Sequence, residues 1–347
     1  MSEESESRPV GAMAATRIEG ERAMHRRGFL ATVTAFAVGP GLGPLRAQSL
    51  SQPIRLLVPL APGGAVDAYA RLVAEHMART LRRAVIVDHK PGGTGNVGTQ
   101  YVAREGADGN LILVTTQATT EINPSAFSNP GWTLDDFIAL IRGVEAPLVL
   151  VANPSVPART LPELVAWIRK NPGKLNYSSY SPGTPSHFLG FELNRRFGLD
   201  LVHVPAKGSG FQATDLMAGH VLFGFAQLQS TLPFLADGKL NAIAVTGPSR
   251  SRFLPDVPAF AELGYPEFTA TVWFGLMLRA GTPPAVIERL LAAAKAAHAD
   301  PDVRTKLEAQ GLDVSGETGA QFAADIRAKA ERWAGIVKAA GFKADGD

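Results

Sequence analysis

The sequence predicts an α/β protein in which strands alternate with helices. Short apolar runs rich in Val, Ile and Leu each break at Gly, Pro, Ser or Thr and pass into a helical pattern. That alternation implies a parallel sheet with helices on both faces. The chain has 347 residues, 46% hydrophobic and 19% charged, which is material for about two domains with cores of their own. The absence of cysteine excludes disulfides, Cys-ligated zinc, iron–sulfur clusters and thiol catalysis. A net charge of +2, with no basic run interleaved with aromatics, argues against nucleic acid as a partner.

The N-terminal region speaks to compartment. Residues 1–23 are polar, and Met24 is a candidate start as well as Met1. His25-Arg26-Arg27-Gly28-Phe29-Leu30, the apolar stretch Ala31 to Gly43, and Arg46-Ala47 follow the order of a signal peptide, with cleavage expected after Ala47. The paired arginines resemble a twin-arginine signal, and the Sec route stays open. Residues 1–47 are thus expected to be an extension and leader, and the mature protein to be exported.

The mature chain opens with a strand, Ile54 to Leu60, that breaks at Ala61-Pro62-Gly63-Gly64. Tyr69, Leu72, Val73, His76, Met77 and Leu81 then recur at helical spacing. Such a turn leaves backbone N–H groups unpaired at the positive end of a helix, which suits an anion. The alternative is a tight connection and nothing more. Asp67, in the first helical turn, either favours the helix dipole or reads a ligand amine or hydroxyl. Ala84 to Asp88 is the next strand, a helix is expected over Thr99 to Arg104, and Leu111 to Val114 is a strand ending in Thr115-Thr116-Gln117. Gly93-Thr94-Gly95-Asn96-Val97-Gly98 matches G-x-G-x-x-G. A dinucleotide site also needs an acidic residue about 20 positions on, and here the next strand ends in threonines. A backbone nest for an anion fits better, and no cofactor is expected.

The second half repeats this logic. Trp132 to Phe137 reads as a turn into a short helix, and Leu148 to Val151 as a strand. Thr160 caps a helix running to Arg169. Leu175 to Ser178 feeds a polar loop, Ser179 to His187, and then a helix, Phe188 to Phe197. Leu201 to Val204 feeds Pro205-Ala206-Lys207-Gly208 and a helix to Ala218; Val221 to Ala226 ends at Gln227. Leu240 to Val245, a small helix and turn over Pro258 to Tyr265, a strand over Val272 to Leu278, and helices over Pro284 to Ala299 and Gly319 to Ala340 complete the chain. Ligands of such sheets bind beyond the carboxyl ends of the strands. Lys207 is the obvious cation at a strand end, either a carboxylate partner or a solvated loop residue. The seven histidines include no H-x-x-x-H pair, so no metal is expected. Ser179 or Ser181 with His187 leaves open a nucleophile and base, although no orienting acid presents itself; a polar ligand-binding loop is the other reading. P-loop and G-x-S-x-G motifs are absent from the sequence.

Taken in order, Pro59-Leu60-Ala61-Pro62-Gly63-Gly64 with Asp67, Pro91 to Gly98, Asp108-Gly109, Ser179 to His187, His203 to Gly208, Pro255 to Pro258, Trp273 to Leu276 and Ala280 to Pro283 resemble the Bug-type solute-binding proteins, receptors of tripartite tricarboxylate transporters. The resemblance covers essentially the whole mature chain. It implies a two-domain periplasmic-binding-protein (Venus flytrap, type II-like) fold with two interdomain crossings. Domain 1 would be residues 48–151 plus 274–347, and domain 2 residues 152–273. It implies a periplasmic receptor, not an enzyme, that binds a di- or tricarboxylate or related organic acid as a monomer. Its partners would be the large and small membrane subunits of the transporter. It implies ligand-binding roles for Ala61, Pro62, Gly63, Gly64, Thr94, Gly95 and Asn96 on one side of the cleft. On the other side it implies Ser179, Ser181, Thr184, His187, Lys207 and Gly208. Asp67, Thr116 and Gln227 join this set from their own positions at strand ends and a helix start. Presentation of ligand to a sensor kinase, or a Ser/His hydrolase, are the alternatives. Asp88-His89-Lys90, Ser181, Ala206 and Phe225-Ala226-Gln227 depart from the family's usual residues and bear on ligand identity more than on fold.

Overall fold

The computed structural model describes residues 52–345, so the expected leader and its paired arginines lie outside the described residues. β1 (Ile54–Val58), β2 (Val85–His89) and β3 (Leu111–Thr116) are parallel and are joined by α1 (Ala65–Leu81) and α2 (Asn96–Arg104). A π-helical turn (Ala118–Ile122), α3 (Asn123–Ala126) and a 3-10 turn (Leu134–Asp136) lead into the long β4 (Phe137–Ala152). Then follow α4 (Leu161–Arg169), β5 (Leu175–Ser179), α5 (Pro185–Phe197), β6 (Leu201–Pro205), α6 (Ser209–Ala218), β7 (Phe223–Gln227), α7 (Leu228–Ala236) and β8 (Asn241–Val245). The chain closes with β9 (Thr271–Arg279), α8 (Pro284–Ala299), α9 (Pro301–Glu308), β10 (Asp313–Thr318) and α10 (Gly319–Ala339).

β4 belongs to two sheets. From Phe137 to Pro147 it pairs antiparallel with β9, and β10 lies on its other edge. From Leu148 to Ala152 it pairs with β7 and β8. The first sheet therefore runs β2–β1–β3–β9–β4–β10 and the second β8–β4–β7–β5–β6. The chain passes to the second sheet inside β4 and returns between β8 and β9. Both sheets are mixed, not wholly parallel, because the strands next to the passage run against their neighbours.

Local chemistry accounts for the element ends. Thr160 and Glu163 form a capping box at α4, and the Asp300 carboxylate accepts from two N–H groups at the start of α9. Gly198 and Gly219 end α5 and α6 in the left-handed conformation. The buried residues of α1, including Tyr69, Val73 and Met77, pack with β1 and β3 into a core continuous with that of the second sheet. Gly143 marks a bulged part of β4. A Cβ there would meet Tyr69 Oη and His298 Nε2, which bond each other at 3.1 Å. No helix among the described residues is long and apolar enough to cross a membrane.

The structure departs from the sequence reading at several elements. β4 begins at Phe137 instead of Leu148, because the bulges and Pro147 hide its alternation. α2 begins at Asn96, before Thr99. The expected helix at Pro258 to Tyr265 is a run of turns held by a bridge from Val245 to Ala259. α7, α9 and β10 were not anticipated. α7 carries an internal Pro233, and β10 is a polar edge strand without an apolar face.

One buried acid holds the return passage. Glu121, in the π-helical turn, is 1% exposed and accepts from Trp273 Nε1 of β9 at 2.7 Å and Trp333 Nε1 of α10 at 3.1 Å. Gln117 Oε1 accepts from the Trp273 backbone N–H at 3.1 Å. Burial pushes the Glu121 carboxyl up to about 7, against the opposing effect of the Trp273 hydrogen bond. The folded state therefore binds this proton more tightly than the unfolded chain. The associated stability is complete below the usual glutamate range, declines as pH rises through it, and is lost above about pH 7. Glu121→Gln should flatten the decline in melting temperature between pH 5 and 8, an effect worth up to ~3 kcal/mol. A decline of unchanged steepness in the variant would contradict this account.

Candidate functional site

The carboxyl ends of β1 and β3 and the loops after β5, β6 and β7 enclose a cleft of about 1040 Å³. Four helices begin at its wall. α1 contributes Gly64, Ala65 and Val66; α5 contributes Thr184; α6 contributes Gly208, Ser209, Gly210 and Phe211; α7 contributes Gln227, Gln229 and Ser230. None of these four N-caps is closed by a side-chain hydrogen bond from the cap residue. The first-turn N–H groups of a helix have no partner within it, and the dipole makes that end positive. Among the described residues lining the cleft, Lys207 carries the only charge, and it has no ion-pair partner. The cleft thus concentrates donors and positive potential with no lining carboxylate to oppose an incoming anion.

The turn that opens α1 is braced from behind. Asp67 does not line the cleft. Its carboxylate accepts from Gly63 N–H at 3.0 Å, Arg71 Nε at 3.1 Å and His89 Nε2 at 2.9 Å. Burial pushes this carboxyl up, but the hydrogen bonds from Gly63 N–H, Arg71 and His89 outweigh burial and hold it below the ordinary aspartate range. Asp67 therefore stays ionised and fixes the Ala61 to Gly64 turn, leaving the N–H groups after Gly63 to the cleft. Gly63 itself has φ +88°, open to glycine and strained for other residues. Ala61, Pro62, Gly63, Gly64 and Thr116 all line the cleft.

The second glycine loop differs from a free nest. Gly95 and Val97 N–H groups donate to Gly92 O, and Asn96 N–H donates to Gly93 O. Of this loop only Thr94 reaches the cleft. Thr94 has φ 49°, rare for a β-branched residue, and the Asn123 side chain donates to its carbonyl at 3.0 Å. Asn96 is turned away and accepts from Trp132 Nε1 at 2.6 Å. Gly95 is buried against Thr119.

On the opposite wall, Ser181, Thr184, Lys207, Gly208 and Gln227 line the cleft, whereas Ser179 and His187 lie behind it. Ser179 Oγ is 2.7 Å from His203 Nε2, so its imidazole neighbour is His203 and not His187. His187 and His203 stack with centroids 3.9 Å apart, and Tyr177 stacks on the far face of His203. Burial, with the neighbouring His203, pushes His187 down to about 3; burial pushes His203 down to about 4. Both rings are neutral near neutral pH, His187 buried and His203 half-buried. Tyr180, Gln117, Phe211, Phe274 and Gln229 also line the cleft and escaped the sequence reading. Tyr180 was legible as an aromatic inside a polar loop; Gln229 was not, because α7 was not anticipated.

The family model for the "Tripartite tricarboxylate transporter family receptor" matches residues 69–342. BugT of Bordetella pertussis is 32% identical over 324 residues, covering 92% of this chain and 99% of BugT. The structure of the periplasmic binding protein BugD is similar with a TM-score of 0.75 at 31% identity, over 84% of this chain and 99% of that one. MatC from Rhodopseudomonas palustris, solved with bound malate, is similar with a TM-score of 0.74 at 28% identity, over 82% of this chain and 98% of that one. The α/β architecture is that of a two-domain periplasmic binding protein.

The glycines of the two loops should respond differently to substitution. A Cβ at Gly64 meets nothing within 4 Å, whereas one at Gly95 would lie 2.4 Å from Thr119 Cγ2 in a residue at φ +88°. Gly95→Val should lower stability by ~2 kcal/mol or more, and Gly64→Val, at the N-cap of α1, by about 1 kcal/mol or less. Denaturant titration of both variants checks this; equal losses would contradict the placement.

Proposed function

The chain belongs to the receptor family of tripartite tricarboxylate transporters, and from that premise we propose that it is a periplasmic Bug-type receptor for a small carboxylate. It would hand its ligand to the large and small membrane subunits of such a transporter. The observation that carries the ligand class is the convergence of four helix N-termini on a cleft with one lysine and no acid. Backbone N–H groups at a helix start suit carboxylate oxygens. Malate in the related MatC fits this chemistry. Contacts through bridging water are compatible with useful affinity.

Ligand would bind first to the α1 side, through Gly64, Ala65 and Val66, and closure would add Thr184, Lys207, Gly208 and Gln227. The two jaws would be domains of residues 48–151 plus 274–347 and 152–273. The change of β4 partners at Pro147 and Leu148 supports such a division, and β4 with the β8–β9 connection would carry the hinge. We read Ser179, His203 and His187 as a packed brace and not as a nucleophile with its base. Ser179 is fully buried and lies behind the cleft wall.

The test is binding. Thermal shift and tryptophan fluorescence of the purified protein against mono-, di- and tricarboxylates should find a saturable carboxylate response. Stabilisation of about 2.7 kcal/mol is expected at a hundredfold excess over Kd. Gly64→Val should abolish the response, because its side chain would project into the cleft. Lys207→Met should weaken it by ~10-fold, the loss of one charge-assisted hydrogen bond. A broad panel without any carboxylate response would contradict the reading.

A further inference from the structure

The end of the described chain links the two proposed jaws. α10 closes at Gly341, φ +60°, where Gly341 N–H donates to Lys338 O and Phe342 N–H to Val337 O. This left-handed cap turns the chain sharply and fixes the direction in which Phe342 leaves the helix. The Phe342 ring meets His187 edge-on with centroids 5.3 Å apart, and Phe188 edge-on at 5.5 Å. A Cβ at Gly183 would lie 3.1 Å from the same ring. Gly183 N–H donates to His187 Nδ1, so Phe342 packs on a loop that is already tied to the start of α5. Two residues on, the tail is tied to the other side. Ala344 N–H donates to Ala126 O at 2.8 Å, and Asp345 Oδ2 accepts from Ser128 N–H at 2.9 Å.

Both anchors lie on segments that hold cleft residues. Ser181 and Thr184 flank Gly183 and line the cleft. Asn123, at the start of the short helix that ends at Ala126, donates to the carbonyl of Thr94, which lines the cleft from the other side. The two loops meet at this flank, with Thr94 Oγ1 3.9 Å from the place a Gly183 Cβ would take. The link lies outside β4 and the β8–β9 connection, so no covalent crossing keeps it made when the jaws swing. Edge-on aromatic pairs and two hydrogen bonds bias a two-state equilibrium without locking it. Arg252 pairs across the same division with Glu308 and Asp313, but these are surface ion pairs and weak. Because the tail joins cleft-lining loops, it draws the jaws together. Resting on the two-jaw reading above, we propose that residues 341–345 are a strap that favours the closed arrangement of the jaws and thereby tightens ligand binding.

Small-angle X-ray scattering of the ligand-free full chain reads the arrangement directly. Phe342→Ala removes the ring. Ala344→Pro removes the N–H that ties the tail to Ala126 and leaves Phe342 in place. Each variant should show a larger radius of gyration than the wild type. Where the wild type binds malate in isothermal titration, each variant should bind it ~10-fold more weakly. An unchanged radius in either variant would overturn the proposal; an effect confined to Phe342→Ala is what local packing on α5 alone would give. If Phe342→Ala does not fold, Ala344→Pro carries the test by itself. Contraction of the wild type on adding malate reads the jaws independently of the strap. Wider variants of a protein that binds no carboxylate would overturn the carboxylate reading and support the strap.

Discussion

The structure depends on a single strand that serves two sheets. β4 is buried along nearly its whole length, and it exchanges β9 and β10 for β7 and β8 at Pro147 and Leu148. Its first part is pinned by Arg142, a buried side chain whose guanidinium pairs with Glu317 and Asp325 and lies over the rings of Phe322 and Trp273. A buried charge is tolerable only when paired in this way. The returning strand, β9, is tied at Trp273 by Glu121 and Gln117. The strands at the passage between sheets thus carry both polar and apolar restraints, while the cleft beside them is lined by a single charged side chain, Lys207, among the described residues.

That contrast explains how the cleft is made. Its proposed recognition groups are mostly backbone N–H groups at helix starts, whose positions are set by helices and not by flexible side chains. The acid nearest the opening turn faces away from the cleft. The Asp67 carboxylate accepts from Gly63 N–H, Arg71 and His89, so the turn is tied from behind and the cleft lining is free of carboxylates. The histidine stack does the same for the other wall, holding the Ser179 end of β5 without presenting a charge.

Much of this was readable from the chain. Each βα unit of the two sheets follows from an apolar run, a glycine-rich break and a helical period, and Ala61 to Gly64 line the cleft from the first such break. The Gly93 to Gly98 motif was legible as a tight loop. Its N–H groups nevertheless turn inward onto Gly92 and Gly93 carbonyls, which depends on φ values no motif specifies. His187 and Ser179 carry the residue types of a site, yet their partners lie across the sheet on β6, where pairing register and not spacing decides contact. β4 was half hidden because bulges break its alternation, and β10 because a polar edge strand has no apolar face to reveal it.

The central claim is that helix starts, and not a cluster of cationic side chains, hold the ligand. A crystal structure of the protein with a bound carboxylate tests it most directly. The account predicts carboxylate oxygens within about 3 Å of the Gly64, Ala65 or Val66 N–H groups, directly or through one water. A carboxylate bound away from the start of α1, held by Lys207 alone, would contradict it.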